Sequence, residues 1–440
     1  MVARLRALWQ ETRASYWFYP ALFTLLAALL AILTVWLDRH GAAEWLTSHE
    51  WVDEARPEGA RNVLNVISGS MIGVASTVFS ITIAAVVYAS GSYGPRLLAN
   101  FMEDRGNQLS LATFIATFVY AVLVLRVVRD AYETAGDPGF VPQLSLMIAT
   151  GMMAASIAVL VYFLNHVPAS IRINAVLEGI GARLLRAVRE RFPHDCAGEQ
   201  RDQAPQGAPV PATRTGYVQI VDFAGLDRIA REAGCRIELR LRPGDFVHPD
   251  IVLLAVVGGK APDEAMAERL RGCFSLGAMR SPAQDIEFLI DELVEIALRA
   301  LSPGINDPFT AVTALHWLGA ATAQIGERDL RGGPDRGDYD WNRIVPLNDD
   351  FDHFVRRGFG GIRAAAATSP IAATQFLDCL LGAGSTLSLN GRRARLRQEG
   401  ALLMAQARLE LAGPSLDELD ALYCDFVQAM KDDTHERLSS

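Results

Sequence analysis

The sequence predicts a membrane α-helical protein: a four-helix transmembrane bundle, then a cytosolic small α/β module and an all-helical C-terminal region. Three observations carry that prediction. Four apolar stretches in the first 170 residues, at 17–37, 63–89, 109–128 and 141–167, are each long enough to cross a bilayer. About 20 residues at ~1.5 Å rise cover the ~30 Å hydrocarbon layer. The 270 residues that follow return to soluble polarity, and alternating strand patterns there give way to helical periodicity from residue 281 onward.

The first span is preceded by Arg4, Arg6 and Arg13 and followed by Leu37-Asp38-Arg39-His40. It is longer than a secretory signal core and ends without a small-x-small cleavage site, so it reads as uncleaved. Leu5, Leu8 and Trp9 can rest at the membrane interface ahead of it. Basic residues flank both ends of the membrane part, with Arg172, Arg183, Arg186, Arg189 and Arg191 after the last span. The first loop is rich in Glu44, Glu50, Asp53, Glu54 and Glu58, and the third carries Asp130, Glu133 and Asp137. This asymmetry places both termini in the cytoplasm and loops one and three outside.

Four regions follow: a transmembrane domain over 1–170, an exit helix and flexible Pro- and Gln-rich loop over 171–215, an α/β module over 216–280, and a helical domain over 281–440. In the module, strands fit 217–221, 236–241 and 251–257, and helices fit 225–233 and 263–271. Arg242-Pro243-Gly244-Asp245 has Pro and Gly where a type II turn requires them. Ser281-Pro282-Ala283-Gln284 has the form of a capping box opening a helix that stops before Ser302-Pro303-Gly304. Asp307 is the expected N-cap of the next helix, and further helices fit 350–367, 370–387, 392–411 and 415–431.

Composition excludes several function classes. A net charge of −9 without a basic stripe argues against nucleic acid as a partner. The five cysteines, Cys196, Cys235, Cys273, Cys379 and Cys424, fit no zinc, haem or CxxC spacing, and no cofactor or metal is expected. No P-loop, GxSxG, HExxH or GxGxxG signature occurs, so no catalytic residues are assigned; Gly358-Phe359-Gly360-Gly361 lies in a helical pattern.

Three clusters stand out instead. In the second span Gly69, Gly73, Ser76 and Ser80 fall three or four residues apart, with Thr77 beside them. That is one helix face of small and hydroxyl residues, open to two readings: a helix-packing seam or a pore lining. After that span, Arg96, Asp104, Asn107 and Gln108 form an elbow before span three, read either as a satisfied polar turn or as a gating hinge. In the soluble part, Ser302, Asn306 and Asp307 lie in a helix-turn-helix elbow open to a partner or small ligand. Glu287, Asp291 and Glu295 repeat every four residues, which requires water, basic partners or a cation around them. Arg126 is placed to snorkel from the end of span three, and His166 to hydrogen-bond at the end of span four.

Several of these stretches together resemble one family. GPRLLANFMEDRGNQ, GYVQIVDFAGLDRIA, RPGDFVHPD and LVEIALRALSPGINDPFTAV are similar to the bacterial predicted membrane proteins of domain-of-unknown-function family 2254. The resemblance covers nearly the whole chain except the 192–215 loop and the far C-terminus. It implies an integral protein of the bacterial plasma membrane with a cytosolic C-terminal region, and it brings no activity. It also marks Arg96, Asp104, Gln108, Asn306 and Asp307. Three functions compete: a homo-oligomeric channel or passive pore with a cytosolic regulatory domain, a membrane-anchored scaffold or sensor, and, last, a lipid-acting enzyme using Asp104, His166 or the Glu287 row.

Overall fold

A computed structural model describes residues 16–40, 56–94, 104–129, 139–192, 207–330, 340, 342–347 and 349–436. The chain divides into two compact units, one ending at Arg172 and the other running from Ile173.

The first unit contains α1 (Phe18–Arg39), α2 (Pro57–Tyr93), α3 (Arg105–Leu125) and α4 (Gln143–Ser170). All four are long and apolar enough to cross a membrane. α3 is the hub and packs against the other three. Its buried face carries Phe114, Tyr120 and Val124, while α1 contributes Ala27 and Ala31, and α2 contributes Leu64, Ile67 and Val78. Small residues on α1 let its backbone approach α3, because helices in lipid associate by close packing rather than by a hydrophobic gain.

Several polar side chains in this bundle are paired. Thr34 Oγ1 lies 2.9 Å from Tyr120 Oη, which in turn donates to Ser145 O at 3.2 Å. Thr117 and Ser156 hydroxyls meet at 2.9 Å. Asp38, at the end of α1, caps a helix 106 residues away: its carboxylate accepts from Leu144 N at 2.9 Å, Ser145 N at 3.0 Å and Ser145 Oγ at 2.6 Å. The residue at the local N-cap position of α4 is Pro142, whose side chain has no acceptor, so the orphan amides of the first turn are satisfied from α1.

The second unit opens with α5 (Ile173–Arg191), followed by β1 (Ala208–Pro211), β2 (Gly216–Val221), α6 (Phe223–Ala233), β3 (Arg236–Leu239), β4 (Phe246–Val247), β5 (Val252–Val257), α7 (Glu264–Arg271) and β6 (Phe274–Gly277). Then come α8 (Ile286–Ala300), α9 (Pro308–Gly326), β7 (Ile344–Val345), α10 (Phe351–Ala366), α11 (Pro370–Thr386), α12 (Asn390–Glu410) and α13 (Pro414–Glu436). The strands form two sheets, β1-β5-β3-β7 and β4-β2-β6, around a shared core that includes Val218, Leu226, Ile237, Leu254 and Phe274. Gly244 at φ +98° makes the expected turn possible.

Three local expectations are corrected. β1 lies inside the stretch read as flexible loop, and β7 pairs with β3 in parallel from within the region read as all helical. The capping box at Ser281 is not the helix start. Asp285 caps α8 by accepting from Phe288 N at 3.1 Å, while the Gln284 side chain bonds both the amide and the carbonyl of Val221. Gln284 ties the helical region to β2 and is unavailable to a cap.

Candidate functional site

Along α2 the side chains of Leu64, Ile67, Met71, Ala75 and Val78 turn into the bundle. Gly69, Gly73, Ser76, Thr77 and Ser80 turn out of it. A Cβ built on Gly69 or Gly73 meets nothing within 4 Å. Among the described residues, then, no other helix of the chain packs against either glycine of the stripe. Its hydroxyls are satisfied by their own helix: Ser76 donates to Ile72 O at 2.9 Å, Thr77 to Gly73 O at 3.1 Å, and Ser80 to Ser76 O at 2.9 Å. Such back-bonding lets a polar face rest against lipid, a second helix or water without an orphaned group.

At the other side of the unit's sequence, the elbow before α3 is partly described, and Arg96 lies outside the described residues. Asp104 is the N-cap of α3, with one oxygen accepting from Gly106 N at 2.7 Å. Its other oxygen lies 2.8 Å from His166 Nε2 near the end of α4, and His166 Nδ1 lies 3.2 Å from Tyr162 Oη. The Tyr162 and His166 rings stack at 5.0 Å. A Cβ on Gly106 would stand 2.6 Å from His166 Nε2, so glycine is what admits the imidazole. Asn107 and Gln108 are both buried on α3, and Asn107 Oδ1 has no hydrogen-bond partner among the described residues.

The soluble-part elbow between α8 and α9 is held by its own backbone. Ser302 Oγ donates to Arg299 O at 2.6 Å, and Asp307 takes Thr310 N at 3.2 Å and Thr310 Oγ1 at 2.6 Å. Asn306 sits in the left-handed region at φ +50°, which Asn tolerates better than most residues. Of the three loop candidates, then, Ser302 and Asp307 spend their polar groups on the turn. The loop instead exposes apolar side chains, with Ile305 48% and Phe309 69% accessible.

The elbow's position follows from how α5 is gripped. Arg183 pairs with Glu292 at 3.1 Å, and Arg191 donates to Gln284 O at 3.2 Å, so α5 runs antiparallel to α8. Gly181 lies under the Trp317 ring, and Arg328 bonds Phe192 O, so α5 runs parallel to α9. Both registers extrapolate to the same place: Leu301 and Phe309 lie level with the first turn of α5.

The acidic row on α8 meets basic partners. Glu287 lies 3.0 Å from His353 Nε2 and 2.6 Å from Arg357 Nη1, Asp291 accepts from Arg357 Nε and Nη2 at 2.7 Å each and from Arg280, and Glu295 faces Arg299 at 3.9 Å. Burial alone would raise the Glu287 carboxyl, but His353 and Arg357 outweigh it and hold it at about 2. Asp285 goes the other way: burial pushes it up to about 6 against the pull of Arg280. Asp349, buried between Arg191 at 2.8 Å and Arg242 at 3.0 Å, is likewise raised by burial. Sequence reasoning did not find Asp349 or Asp38, because their partners are remote in the chain.

Comparison with known proteins places the chain in a family. The family model described as a predicted membrane protein (DUF2254) matches residues 13–381. The chain belongs to this family. Similar proteins include an uncharacterised protein of Mycobacterium bovis and one of Mycobacterium tuberculosis strain H37Rv. Each is 29% identical over 374 residues, covering 82% of this chain and 71% of the relative. No solved structure matches. The DUF2254 match spans the α2 stripe, the Asp104 elbow and the α8–α9 elbow alike.

Proposed function

We propose that this DUF2254 protein is a non-enzymatic, homo-oligomeric channel or passive pore of the bacterial plasma membrane, with both termini in the cytoplasm and the second unit as its regulatory domain. One observation carries the reading: the Gly69, Gly73, Ser76, Ser80 stripe faces away from its own bundle, with open space at both glycines. Small residues gain nothing from lipid but let two backbones approach closely. In a closed ring of identical chains every copy presents the same face to its neighbour or to the axis. A stripe of glycine and back-bonded hydroxyls there gives a narrow, mildly polar passage without buried charge.

Regulation is supported by the grip on α5. Arg183–Glu292 and Arg191–Asp349 clamp this helix to the second unit, and α5 continues from α4 after a two-residue join. A shift of the clamp therefore pulls on the end of the last membrane helix. Purified protein in planar bilayers tests the reading. Conductance above protein-free membranes is expected, and Gly73→Leu or Ser76→Leu should reduce it severalfold, by filling the passage and by holding neighbouring α2 helices apart. Silent bilayers containing folded oligomers would remove the channel reading.

A membrane-anchored scaffold is the second reading, favoured by Ile305 and Phe309 standing exposed on a rigid elbow. A cytosolic protein or small ligand would be the partner. In vivo crosslinking from a photoreactive residue at Phe309 should then trap one stoichiometric partner, and Asn306→Ala should weaken the capture.

A further inference from the structure

A second feature of the membrane unit lies away from the α2 stripe. Between α1 and α3 runs a groove of about 580 Å³. Ala28, Ala31, Ile32, Val35 and Leu123 line its apolar part. The two alanines leave room that larger side chains would fill. The groove extends from Ala28 to Arg39, which at ~1.5 Å per residue is roughly 16 Å, or about half of the ~30 Å hydrocarbon layer. It is one leaflet long.

Its mouth is cationic. Arg39 and Arg126 both line it, at the ends of α1 and α3, and both are exposed. Arg39 is steadied over the Phe140 ring, 5.7 Å from its centroid. Neither guanidinium has a carboxylate partner among the described residues, whereas most arginines of the second unit are paired. Cations at helix C-termini are favourable by themselves, which accounts for either arginine alone. It does not account for two arginines lining the same end of one apolar groove. An amphiphile with an anionic head and a hydrocarbon tail matches both halves of the groove.

We propose that this groove holds one anionic glycerophospholipid, with an acyl chain along Ala28, Ala31 and Ile32 and the phosphate between Arg39 and Arg126. Guanidinium groups are suited to phosphate because they offer forked donors and are only weakly hydrated. The site depends on the membrane-spanning reading of α1 and α3 and not on the channel reading.

Native mass spectrometry of the full-length protein, released from detergent containing phosphatidylglycerol or phosphatidylcholine of identical chains, tests it. The wild type should retain one phosphatidylglycerol per chain in preference to phosphatidylcholine. In the double variant Arg39→Gln/Arg126→Gln that preference should fall by roughly tenfold to thirtyfold, as expected for two arginines near an anionic headgroup. Arg172→Gln, an exposed arginine outside the groove, should leave it unchanged. Ala28→Phe, which fills the trough and keeps both charges, should also lose the lipid. Equal retention of the two lipids by the wild type would mean ordinary annular lipid and overturn the proposal. So would full phosphatidylglycerol retention by the double variant. A fall in oligomer mass in the double variant would assign the groove to a second copy of the chain instead.

Discussion

Asp38 shows how much a single side chain can decide at a buried helix end. Its carboxylate serves two amides and a hydroxyl at the start of α4, where Pro142 has nothing to offer. Asp38→Ala should destabilise the detergent-solubilised protein by about 2–3 kcal/mol, since buried donors lose their acceptor. Asp38→Asn, which retains one acceptor oxygen, should cost less. Thermal melting of the three proteins side by side measures the order. Asp285 adds a titratable counterpart in the second unit. Its carboxyl is raised to about 6 in the fold, against 3.8 for the free side chain, so the native state binds the proton more tightly. Its contribution to stability therefore falls as pH rises between those values and is level above them. Relative to Asp285→Asn, which keeps a capping oxygen but does not titrate, the wild type should gain about 1 kcal/mol on going from pH 7 to pH 5. Parallel stability curves for the two proteins would contradict the assignment.

At the scale of elements, the four membrane helices are legible in the sequence because length and apolarity are properties of composition. The stripe on α2 is legible as a face, since steps of three and four define one. What meets that face is not, because spacing carries no information about neighbours. The capping-box misreading has a similar cause. Ser281 and Gln284 satisfy the pattern, yet Gln284 is claimed by Val221 of β2, and Asp285 four residues on has the better geometry. Likewise β7 is two residues long and becomes a strand only because β3 is there to pair with it. The Asp104 elbow was legible as a polar turn, but its His166 partner 62 residues away was not. The packing of α5 on α9 gives this scale its own prediction. A Cβ on Gly181 would stand 2.2 Å from Trp317 Cδ2. Gly181→Ala should therefore cost about 1–3 kcal/mol by overpacking. Trp317→Leu should recover part of that loss in the double variant, a non-additivity expected only of residues in contact. Additive losses would break the parallel register that places Phe309 level with Ile173.

For the whole molecule, α4 of one unit runs on into α5 of the other through Ile171 and Arg172, and the proposed function assigns the two units different work. The membrane unit presents a small-residue face that the described part of its own bundle leaves uncovered, and the second unit holds α5 through ion pairs to the buried carboxylates of Glu292 and Asp349. Breaking such a pair strands a buried charge, so these contacts favour one arrangement strongly over others. The lipid groove on α1 and α3 is a separate surface, away from the stripe on α2, and leaves that stripe available. Self-association through α2 is the claim on which the functional reading stands. Single cysteines placed at Gly69, Gly73, Ser76 and Ser80, in a background lacking the five native cysteines, test it most directly in native membranes under mild oxidation. Disulfide-linked dimers at these four positions, and none at the lipid-facing control Leu29 of α1, are the result expected. Monomers at every stripe position, with the protein folded and each thiol open to a small maleimide, would contradict it.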